Sequence, residues 1–225
     1  VCMHKVLGID IGASGGKALM GEFDGQRIQN IREVHRFGND PVKTRAGYFW
    51  DFFQLYKGVT EAIRKAGKVD TVAIDGFGNA VGFLDRQGKP TGPLRHHHDS
   101  LSRGMMAEMD KIAPISEFKR RSLAALQEVN PPAKLFSMKY HGDPSFQNIE
   151  TMLFIPEMIA YFLCGAKFSE YSEASTSSTC DPYTRRWIPE LYEAYGIPSS
   201  ILPPLVEAGT CMGKVEGTDI TLMAS

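Results

Sequence analysis

The sequence predicts an α/β fold in which a mixed sheet starts with an antiparallel three-strand meander and is flanked by helices. Two observations predict it. Three extended runs, separated by glycine-containing turns, follow one another between Lys5 and Phe37, and a helical repeat of hydrophobic residues then precedes two short apolar strands. The 225 residues, of which 43% are hydrophobic, suffice for one sizeable domain or two small ones with a real core.

Composition and charge limit the partners that this chain can have. The net charge of −1 and the pI of about 6.7 come without a basic stripe, which favours a small-molecule partner over nucleic acid. Residues 1–5 lack the long apolar stretch of a signal peptide. The most apolar segment, Met152–Cys164, contains Pro156 and Glu157 and is shorter than the ~20 residues that span a bilayer. We therefore expect a soluble protein with no membrane contact.

Cysteine usage points to a reducing compartment. The four cysteines lie far apart and include no C-x-x-C pair, in a chain long enough to build a core without disulfides. This pattern predicts reduced thiols, a cytoplasmic location and no zinc site. The cysteines are Cys2, Cys164, Cys180 and Cys211.

The stretch Lys5–Asp24 reads as an apolar strand, a glycine-rich turn and a second strand, with Asp10 at the end of the first. The run after the turn is too short for a capped helix, so the turn is predicted to lie inside a β-hairpin. Three glycines allow positive φ and close backbone approach at this turn. They are Gly12, Gly15 and Gly16.

The hairpin does not fit the two commoner phosphate loops. Ile11 and Ala18 occupy positions where a P-loop needs glycine and a hydroxyl residue, and the glycine spacing does not match a dinucleotide fingerprint. A hairpin nest remains, in which backbone N–H groups, the Ser14 hydroxyl and the Lys17 ammonium could hold phosphate oxygens. Asp10 would face the accompanying metal. The alternative is an ordinary hairpin with a glycine-rich tip.

The elements after the hairpin give a strand, helix, strand order, which is that of a ribonuclease-H-like lobe. The apolar stripe of the helix is interpreted as core. The predicted elements are a strand at Arg27–Phe37, a loop at Asn39–Gly47, a helix from Trp50 to Gly67, a strand at Asp70–Ile74 that closes at Asp75, and a strand at Val81–Asp85.

The second half of the chain is predicted to be mostly helical. Proline and glycine positions define most of its boundaries. The predicted elements are a loop at Leu94–Gly104, helical pieces in Ala107–Leu126 broken at Pro114 with Ser116 as an N-cap, helices at Pro131–His141 and Thr151–Cys164, a helix start or loop at Ser172–Thr179, a short helix at Pro189–Tyr195 and an extended run after Asp219.

A resemblance to a known family follows from these motifs. The pattern D-x-G-x-S-x-x-K at Asp10, Gly12, Ser14 and Lys17 is similar to the first phosphate motif of the actin-like sugar-kinase superfamily. The wider run resembles the FGGY carbohydrate kinases, most closely their rhamnulokinase branch. Collinear pieces extend the resemblance over almost the whole chain, in the order E-V-H-R-F, I-D-G-F-G, F-L-D-R-Q-G-K-P, H-D-S, E-Y-S-E-A-S-T and L-P-P-L-V-E-A-G.

The resemblance implies an actin-like ATPase lobe that uses ATP and Mg²⁺. In this family the hairpin holds the β- and γ-phosphates, and the aspartate acts through the metal, which makes Asp10 the expected metal residue. The residues expected to contact the phosphates and Mg²⁺ are Asp10, Gly12, Ser14, Gly15, Gly16 and Lys17.

The resemblance also places a sugar at the end of the strand closing at Asp75. A rhamnulokinase-like pattern would read D-T-W-G-V-D-F where this chain has D-G-F-G-N-A-V, so the sugar contacts are expected to differ. Phe77 could stack on a sugar face and Asn79 could bind hydroxyls, or both could be structural loop residues. The expected sugar-binding residues are Asp75, Phe77, Gly78, Asn79, His98, Asp99 and Gln127, with Asn130 nearby.

The triplet His96–His98 suggests a metal site at first sight. Adjacent residues of an extended segment point to opposite sides, however, so three consecutive histidines do not easily share one ion. The favoured interpretation is that one of them lies near the sugar pocket.

The family places its catalytic aspartate early in a C-terminal lobe, beyond Ser225, and Asp219 lacks the motif that would make it the base. We expect residues 1–213 to be the sugar-binding domain and residues 214–225 to start the segment that leads to that lobe, its partner in cis. The complete enzyme would phosphorylate a primary hydroxyl of a ketose such as L-rhamnulose, and this chain alone would be inactive. The alternatives are a non-catalytic sugar-sensing or regulatory lobe, and an activator ATPase, which the scattered cysteines disfavour.

Overall fold

The fold is built around a six-stranded mixed sheet. The computed structural model describes residues 3–225, so that Val1 and Cys2, one of the four cysteines considered above, lie outside the described residues. The strands are β1 (His4–Gly12), β2 (Gly15–Phe23), β3 (Ile28–Gly38), β4 (Val42–Thr44), β5 (Gly47–Trp50), β6 (Thr71–Gly76), β7 (Val81–Leu84), β8 (Leu94–Arg95), β9 (Thr151–Phe154), β10 (Ser169–Glu170), β11 (Cys180–Asp181), β12 (Arg186–Trp187), β13 (Leu205–Val206), β14 (Cys211–Lys214) and β15 (Thr221–Met223). The helices are α1 (Phe52–Ala66), α2 (Met105–Asp110), α3 (Ser116–Ser122), α4 (Pro131–Tyr140), α5 (Ile155–Cys164), α6 (Tyr171–Ser175) and α7 (Glu190–Glu193), with 3₁₀ turns at Phe146–Asn148 and Ser199–Ile201.

The first three strands form the predicted antiparallel meander. The β1–β2 register runs from His4 opposite Phe23 to Gly12 opposite Gly15, which leaves only residues 13–14 at the tip of the hairpin. β3 then pairs antiparallel with β2. The expectation of positive φ at the hairpin glycines is wrong, because none of the three has positive φ. Their role is close packing, as described below.

The sheet continues from the meander through parallel strands. β6 pairs parallel with β1, β15 pairs parallel with β6, and β14 closes the edge, which gives the order β14-β15-β6-β1-β2-β3. The boundary predicted between residues 213 and 214 falls inside β14. Residues 221–223 belong to the central sheet because they pair with residues 71–73 of β6.

Helix α1 forms as its apolar repeat predicts. The Asp51 side chain caps its first turn by accepting from the Gln54 N–H at 3.1 Å, and the chain reverses at Gly67 with φ +69°. Its buried stripe packs, together with α5, on one face of the sheet; the stripe consists of Phe52, Leu55, Val59, Ala62 and Ile63.

Two hydrophobic cores meet at the short β7–β9 ribbon. One lies between the central sheet and helices α1 and α5, and the other gathers α2, α3, α4 and α7. The ribbon contributes to both: Leu153 belongs to the first core, whereas Met152 and Phe154 belong to the second. This junction positions the loop between β6 and β7, which carries the residues discussed below.

The ribbon also explains a wrong prediction. Thr151–Cys164 is not one helix, because Thr151–Phe154 forms β9 and the helix starts only at Ile155. All four strand residues are buried, so the alternation that identifies a half-exposed strand is missing from the sequence. The predicted end of the helix is confirmed, since Gly165 adopts φ +79° at the C-cap.

Two smaller predictions are corrected in the same way. The predicted loop Asn39–Gly47 contains β4, which pairs with β5. Ser116 is the first residue of α3, whose N-cap is Ile115 without a side-chain cap hydrogen bond. The 3₁₀-like turn from Pro114, in which its carbonyl accepts from the Glu117 N–H, starts this helix instead.

The cysteines that the structure describes form no disulfide. Within residues 3–225, Cys164, Cys180 and Cys211 are free. Burial raises the pKa of the Cys180 thiol to about 12. Among the helices of this part of the chain, none combines the length and the apolar character needed to cross a bilayer.

Candidate functional site

Four charged residues stand in one row across the sheet near the hairpin tip. Asp10 of β1 lies opposite Lys17 of β2 and, on its other side, beside Asp75 of β6, and Lys17 lies opposite Arg36 of β3. Residues that are directly paired across strands point to the same face, here the face that α1 and α5 leave open. Two carboxylates and two cations therefore lie side by side, with Ser14 exposed at the tip.

The glycines of the hairpin are required by a phenylalanine. The ring of Phe37 occupies the space that a side chain at Gly16 would need, and a Cβ at Gly15 would lie 2.7 Å from the Phe37 carbonyl oxygen. Phe37 packs equally closely on Gly58 of α1. The hairpin can thus approach β3 and α1 only where side chains are absent.

A buried asparagine braces the same hairpin. Asn39 is 1% exposed, and its Nδ2 donates to the Gly12 carbonyl at 3.0 Å. Because this carbonyl is the last of β1, the bond fixes the direction of the chain as it enters the tip. Nothing in the local sequence around Asn39 predicts this contact, which joins residues 27 positions apart.

The donor set near Asp10 suits Mg²⁺ shared with phosphate oxygens. Among residues 3–225, no group of three or more histidine, cysteine, aspartate or glutamate side chains is arranged to hold a metal ion alone. Mg²⁺ is usually bound by one or two carboxylates and completed by phosphate oxygens and water. The exposed carboxylate of Asp10, a residue that is paired with Lys17 across the two strands, fits that arrangement.

The loop after β6 continues from Asp75, the end of the charged row. Asp75 is exposed, and its Oδ1 accepts from the Gly76 N–H at 2.9 Å. Phe77 and Asn79 are half-buried, and Asn79 has φ +66°. Gly78 packs against α6, since a Cβ there would lie 2.7 Å from the Thr176 methyl group. The structure therefore brings the predicted phosphate and sugar segments next to each other.

Aromatic rings surround the loop. The ring of Phe77 packs on Trp50 with centroids 4.5 Å apart, and His96 lies 4.0 Å from Trp50 and 4.2 Å from Tyr48. Trp50 is 2% exposed, and its indole N–H has no hydrogen-bond partner within the described residues. The predicted helix start at Trp50 is wrong, because Trp50 is the last residue of β5, and nothing in the sequence indicated its unpaired donor beside Phe77.

The rings of the three consecutive histidines pack against one another instead of pointing to alternate sides of the chain. The His97 ring lies 4.0 Å from His96 and 4.1 Å from His98, because residues 96–99 form a tight turn in which the Asp99 N–H donates to the His96 carbonyl. The assumption of an extended segment was wrong. Burial lowers the pKa of His96 to about 4, with the neighbouring charges of His97, His98 and Lys134 acting in the same direction, so His96 is neutral at pH 7. His98 is the exposed member.

Asp99 holds this turn in place. Its carboxylate accepts from the Tyr48 N–H at 2.7 Å, the Leu101 N–H at 3.0 Å and the Arg95 guanidinium at 3.0 Å. These bonds occupy most of its acceptor capacity. They attach the turn to β5, and this structural role is sufficient to account for an aspartate at position 99.

Two residues, the N-cap of helix α4 and one within the helix, form hydrogen bonds to Asn79 in the loop after β6. Asn130 is 2% exposed; its Nδ2 donates to Asn79 Oδ1 at 2.7 Å, and its Oδ1 accepts from the Gln127 N–H. The side chain of Gln127 is exposed. Lys134 is 6% exposed, and its Nζ donates to the Asn79 carbonyl at 2.6 Å. Lys134 was not predicted as a site residue, because a lysine four residues into a helix reads as a surface residue.

A buried acidic group lies behind Asp75. Glu170 caps α6 by accepting from the N–H groups of Ser172 and Glu173. Burial, together with the smaller effect of the Asp75 and Glu170 charges, raises the pKa of Glu173 to about 8. Burial likewise raises the pKa of Glu157 well above its usual value. Glu173 and Glu157 each keep one buried oxygen without a hydrogen-bond partner in the described part of the chain.

Comparison with known proteins gives one family. The model of the N-terminal domain of the FGGY family of carbohydrate kinases matches residues 5–223. The rhamnulokinase of Halalkalibacterium halodurans is 25% identical over 223 residues, which cover 95% of this chain and 46% of that protein. The rhamnulokinase of Bacteroides thetaiotaomicron is 23% identical over 211 residues, covering 92% of this chain and 43% of that protein.

The solved structures agree on the fold. A gluconate kinase from Lactobacillus acidophilus superposes with a TM-score of 0.86 at 14% identity, over 99% of this chain and 47% of that one. This is the actin-like ATPase fold that the element order and the resemblance predicted. The chain spans about half the length of the relatives that it matches.

Proposed function

The chain belongs to the FGGY family of carbohydrate kinases, and from that premise we propose that it forms the sugar-binding lobe of an enzyme that transfers the γ-phosphate of ATP to a primary hydroxyl of a sugar. A ketose such as L-rhamnulose is the proposed acceptor, because the relatives described above include rhamnulokinases. The observation that carries the proposal is the charged row, which ends at Asp75, where the loop bearing Phe77 and Asn79 begins.

The hairpin is the proposed phosphate-binding element. Lys17, the Ser14 hydroxyl and the backbone at Gly12, Gly15 and Gly16 would hold phosphate oxygens, and Asp10 would hold Mg²⁺. When bound, the ion neutralises phosphate charge and so supports displacement at the γ-phosphorus. Lys17 adds a positive charge on the same face, and Asn39 keeps the entry to the tip rigid through its bond to the Gly12 carbonyl.

The loop after β6 is the proposed sugar-binding element. The Phe77 ring offers an apolar face for a sugar ring, while Asp75 and Asn79 offer an acceptor and donors for its hydroxyls. His98, in the turn after β8, and Gln127, shortly before α4, are exposed and are proposed as further contacts. Asp99 and Gly78 are proposed to act mainly by shaping the site, through the turn after β8 and the packing on Thr176.

The catalytic base is proposed to lie in a further C-terminal lobe. Phosphoryl transfer needs a carboxylate that takes the proton of the acceptor hydroxyl, in line with the phosphate. We assign no such group in this chain, whose sugar-binding domain is proposed as residues 1–213. Closure of a second lobe over the row and the loop would exclude water, and the reaction would proceed in the cytoplasm, where ATP is available. Residues 1–225 alone are then expected to bind the sugar but not to phosphorylate it.

The experiment that tests this function measures ketose-dependent release of ADP. The complete product of the gene and residues 1–225 are assayed side by side with Mg²⁺, ATP and a panel of ketoses. The proposal expects turnover with at least one ketose by the complete product only. Sugar binding without turnover by the complete product would indicate a regulatory sugar sensor instead, and turnover by residues 1–225 would overturn the assignment of the base to another lobe.

A further inference from the structure

Asn79 adopts a left-handed backbone conformation with φ +66°, which asparagine tolerates better than most residues with a side chain. Three groups hold it here. Thr176 Oγ1 accepts from the Asn79 N–H at 3.3 Å, Lys134 Nζ donates to the Asn79 carbonyl at 2.6 Å, and Asn130 Nδ2 donates to Asn79 Oδ1 at 2.7 Å.

Two of these groups come from one face of α4. Asn130 is the N-cap residue, and Lys134 follows four residues later, so that both side chains point toward the loop. Asn130 also donates to the Thr176 carbonyl at 2.9 Å. It thereby connects the loop, α6 and α4 through one amide, and its 2% exposure leaves it no contact with a ligand in solution.

Lys134 is an unusual residue for this position. Its side chain is 6% exposed, and burial of an ammonium group is unfavourable unless the group is paired. Its Nζ donates to the Asn79 carbonyl, and the charged or titratable groups that face it are Asp99, His96 and His97. Burial lowers the pKa of Lys134 to about 8, while the Asp99 carboxylate raises it. Because burial of the Lys134 ammonium is unfavourable, we interpret its position by the hydrogen bond that it donates to the Asn79 carbonyl.

The consequence is a defined direction for the Asn79 amide. Its backbone N–H, its carbonyl and its Oδ1 are all engaged, whereas the hydrogen bonds within the described residues include none from its Nδ2. The two N–H donors of that nitrogen remain for a ligand. They lie beside Phe77, whose ring packs on Trp50.

We propose that Asn130 and Lys134 are positioning residues that lock Asn79 so that its Nδ2 donates to a hydroxyl oxygen of the sugar, a role that presupposes the sugar-binding function proposed above. The sugar group that this site selects is an acceptor oxygen. A ligand with a hydrogen-bond donor alone at this point, such as an ammonium group, is disfavoured.

Lys134→Met tests whether Lys134 holds Asn79 in place, because methionine is an unbranched side chain one atom shorter than lysine that lacks both the N–H donor and the charge. Lys139→Met is the matched control: Lys139 lies in the same helix, and its Nζ donates at 2.9 Å to the carbonyl of Tyr195 and not to a residue of the loop. Amide hydrogen exchange of residues 76–80 and the Kd for the ketose that wild type binds are measured for both. We expect Lys134→Met to raise exchange and Kd about tenfold each, and Lys139→Met to change neither.

Asn130→Asp provides a second test, should Lys134→Met fail to fold. The new carboxylate can only accept, so the Asn79 amide would turn its Nδ2 toward it and away from the sugar. Affinity for the ketose is then expected to fall about tenfold although the protein stays folded. Unchanged exchange at residues 76–80 in Lys134→Met, or unchanged affinity in Asn130→Asp, would overturn the proposal. Absence of ketose binding by wild type would overturn the sugar role, while the exchange result still decides whether the lock exists.

Discussion

Glu173 is expected to make the protein less stable as the pH rises from 5 to 8. Its carboxyl is buried beside Asp75 and Glu170, and its pKa is raised from the usual 4.5 to about 8. In the unfolded chain the carboxyl loses its proton near pH 4.5, whereas in the folded protein it keeps the proton to about pH 8. The unfolded state therefore binds fewer protons between these values, and stability falls with pH in this window.

The magnitude follows from the two pKa values. The contribution of Glu173 to the free energy of unfolding is fully present below pH 4.5 and is lost as the pH rises through about 8. At about 1.4 kcal/mol for each pH unit between them, the loss is at most about 5 kcal/mol. Glu173→Gln keeps the size of the side chain and removes its titration, so the variant should lose less stability between pH 5 and pH 8 than wild type does, and Glu157, whose pKa burial also raises, contributes to the loss that remains.

Urea unfolding at pH 5, 6.5 and 8 measures the effect. Glu190→Gln is the matched control: Glu190 lies at the surface, and a hydrogen bond from its own backbone N–H, followed by the charge of Arg121, lowers its pKa instead of raising it. Glu190→Gln should lose as much stability between pH 5 and pH 8 as wild type does. If Glu173→Gln lost as much stability between pH 5 and pH 8 as wild type, the assignment of a protonated, buried Glu173 would be refuted.

Three further outcomes follow from the site. Gly16→Ala should destabilise the protein by about 1–3 kcal/mol because its methyl group would overlap the Phe37 ring, whereas Gly8→Ala, which meets nothing within 4 Å, should cost little; urea unfolding compares them. Asp10→Asn should weaken Mg²⁺-dependent ATP binding at least tenfold, measured by calorimetry, with an unchanged melting temperature, because the Asp10 carboxylate is exposed. Asp99→Ala should destabilise by about 2–4 kcal/mol by leaving partly buried donors unpaired, and stability of this variant in urea equal to that of wild type would contradict the structural role.

The parts of the fold that the sequence predicts are those with local signals. The hairpin, α1 and the strand closing at Asp75 each show a period or a turn pattern within about 15 residues, and each is confirmed. β9 was missed because Thr151–Phe154 is buried on both sides and shows no alternation. The turn at His96–Asp99 was missed because its cause, the contacts of Asp99 with β5, comes from 51 positions away.

The candidate site divides in the same way. Asp10, Lys17 and Asp75 follow from motifs that lie at strand ends, where register brings them together. Lys134 and Asn39 could not be predicted, because their partners are the carbonyls of Asn79 and Gly12, which are 55 and 27 positions away. Every residue has a backbone carbonyl, so the sequence does not show which carbonyl a distant side chain will bind. A residue that donates to one is therefore predicted as an ordinary polar residue.

Calorimetric titration of residues 1–225 with a panel of ketoses tests whether the loop after β6 binds a sugar. We expect at least one ketose to bind, and we expect Asn79→Ala to weaken its binding at least tenfold while Mg²⁺-dependent ATP binding stays as in wild type. Lys139→Met serves as the control that changes neither. If no ketose bound although ATP binding and folding were intact, the sugar site assigned to the loop after β6 would be contradicted.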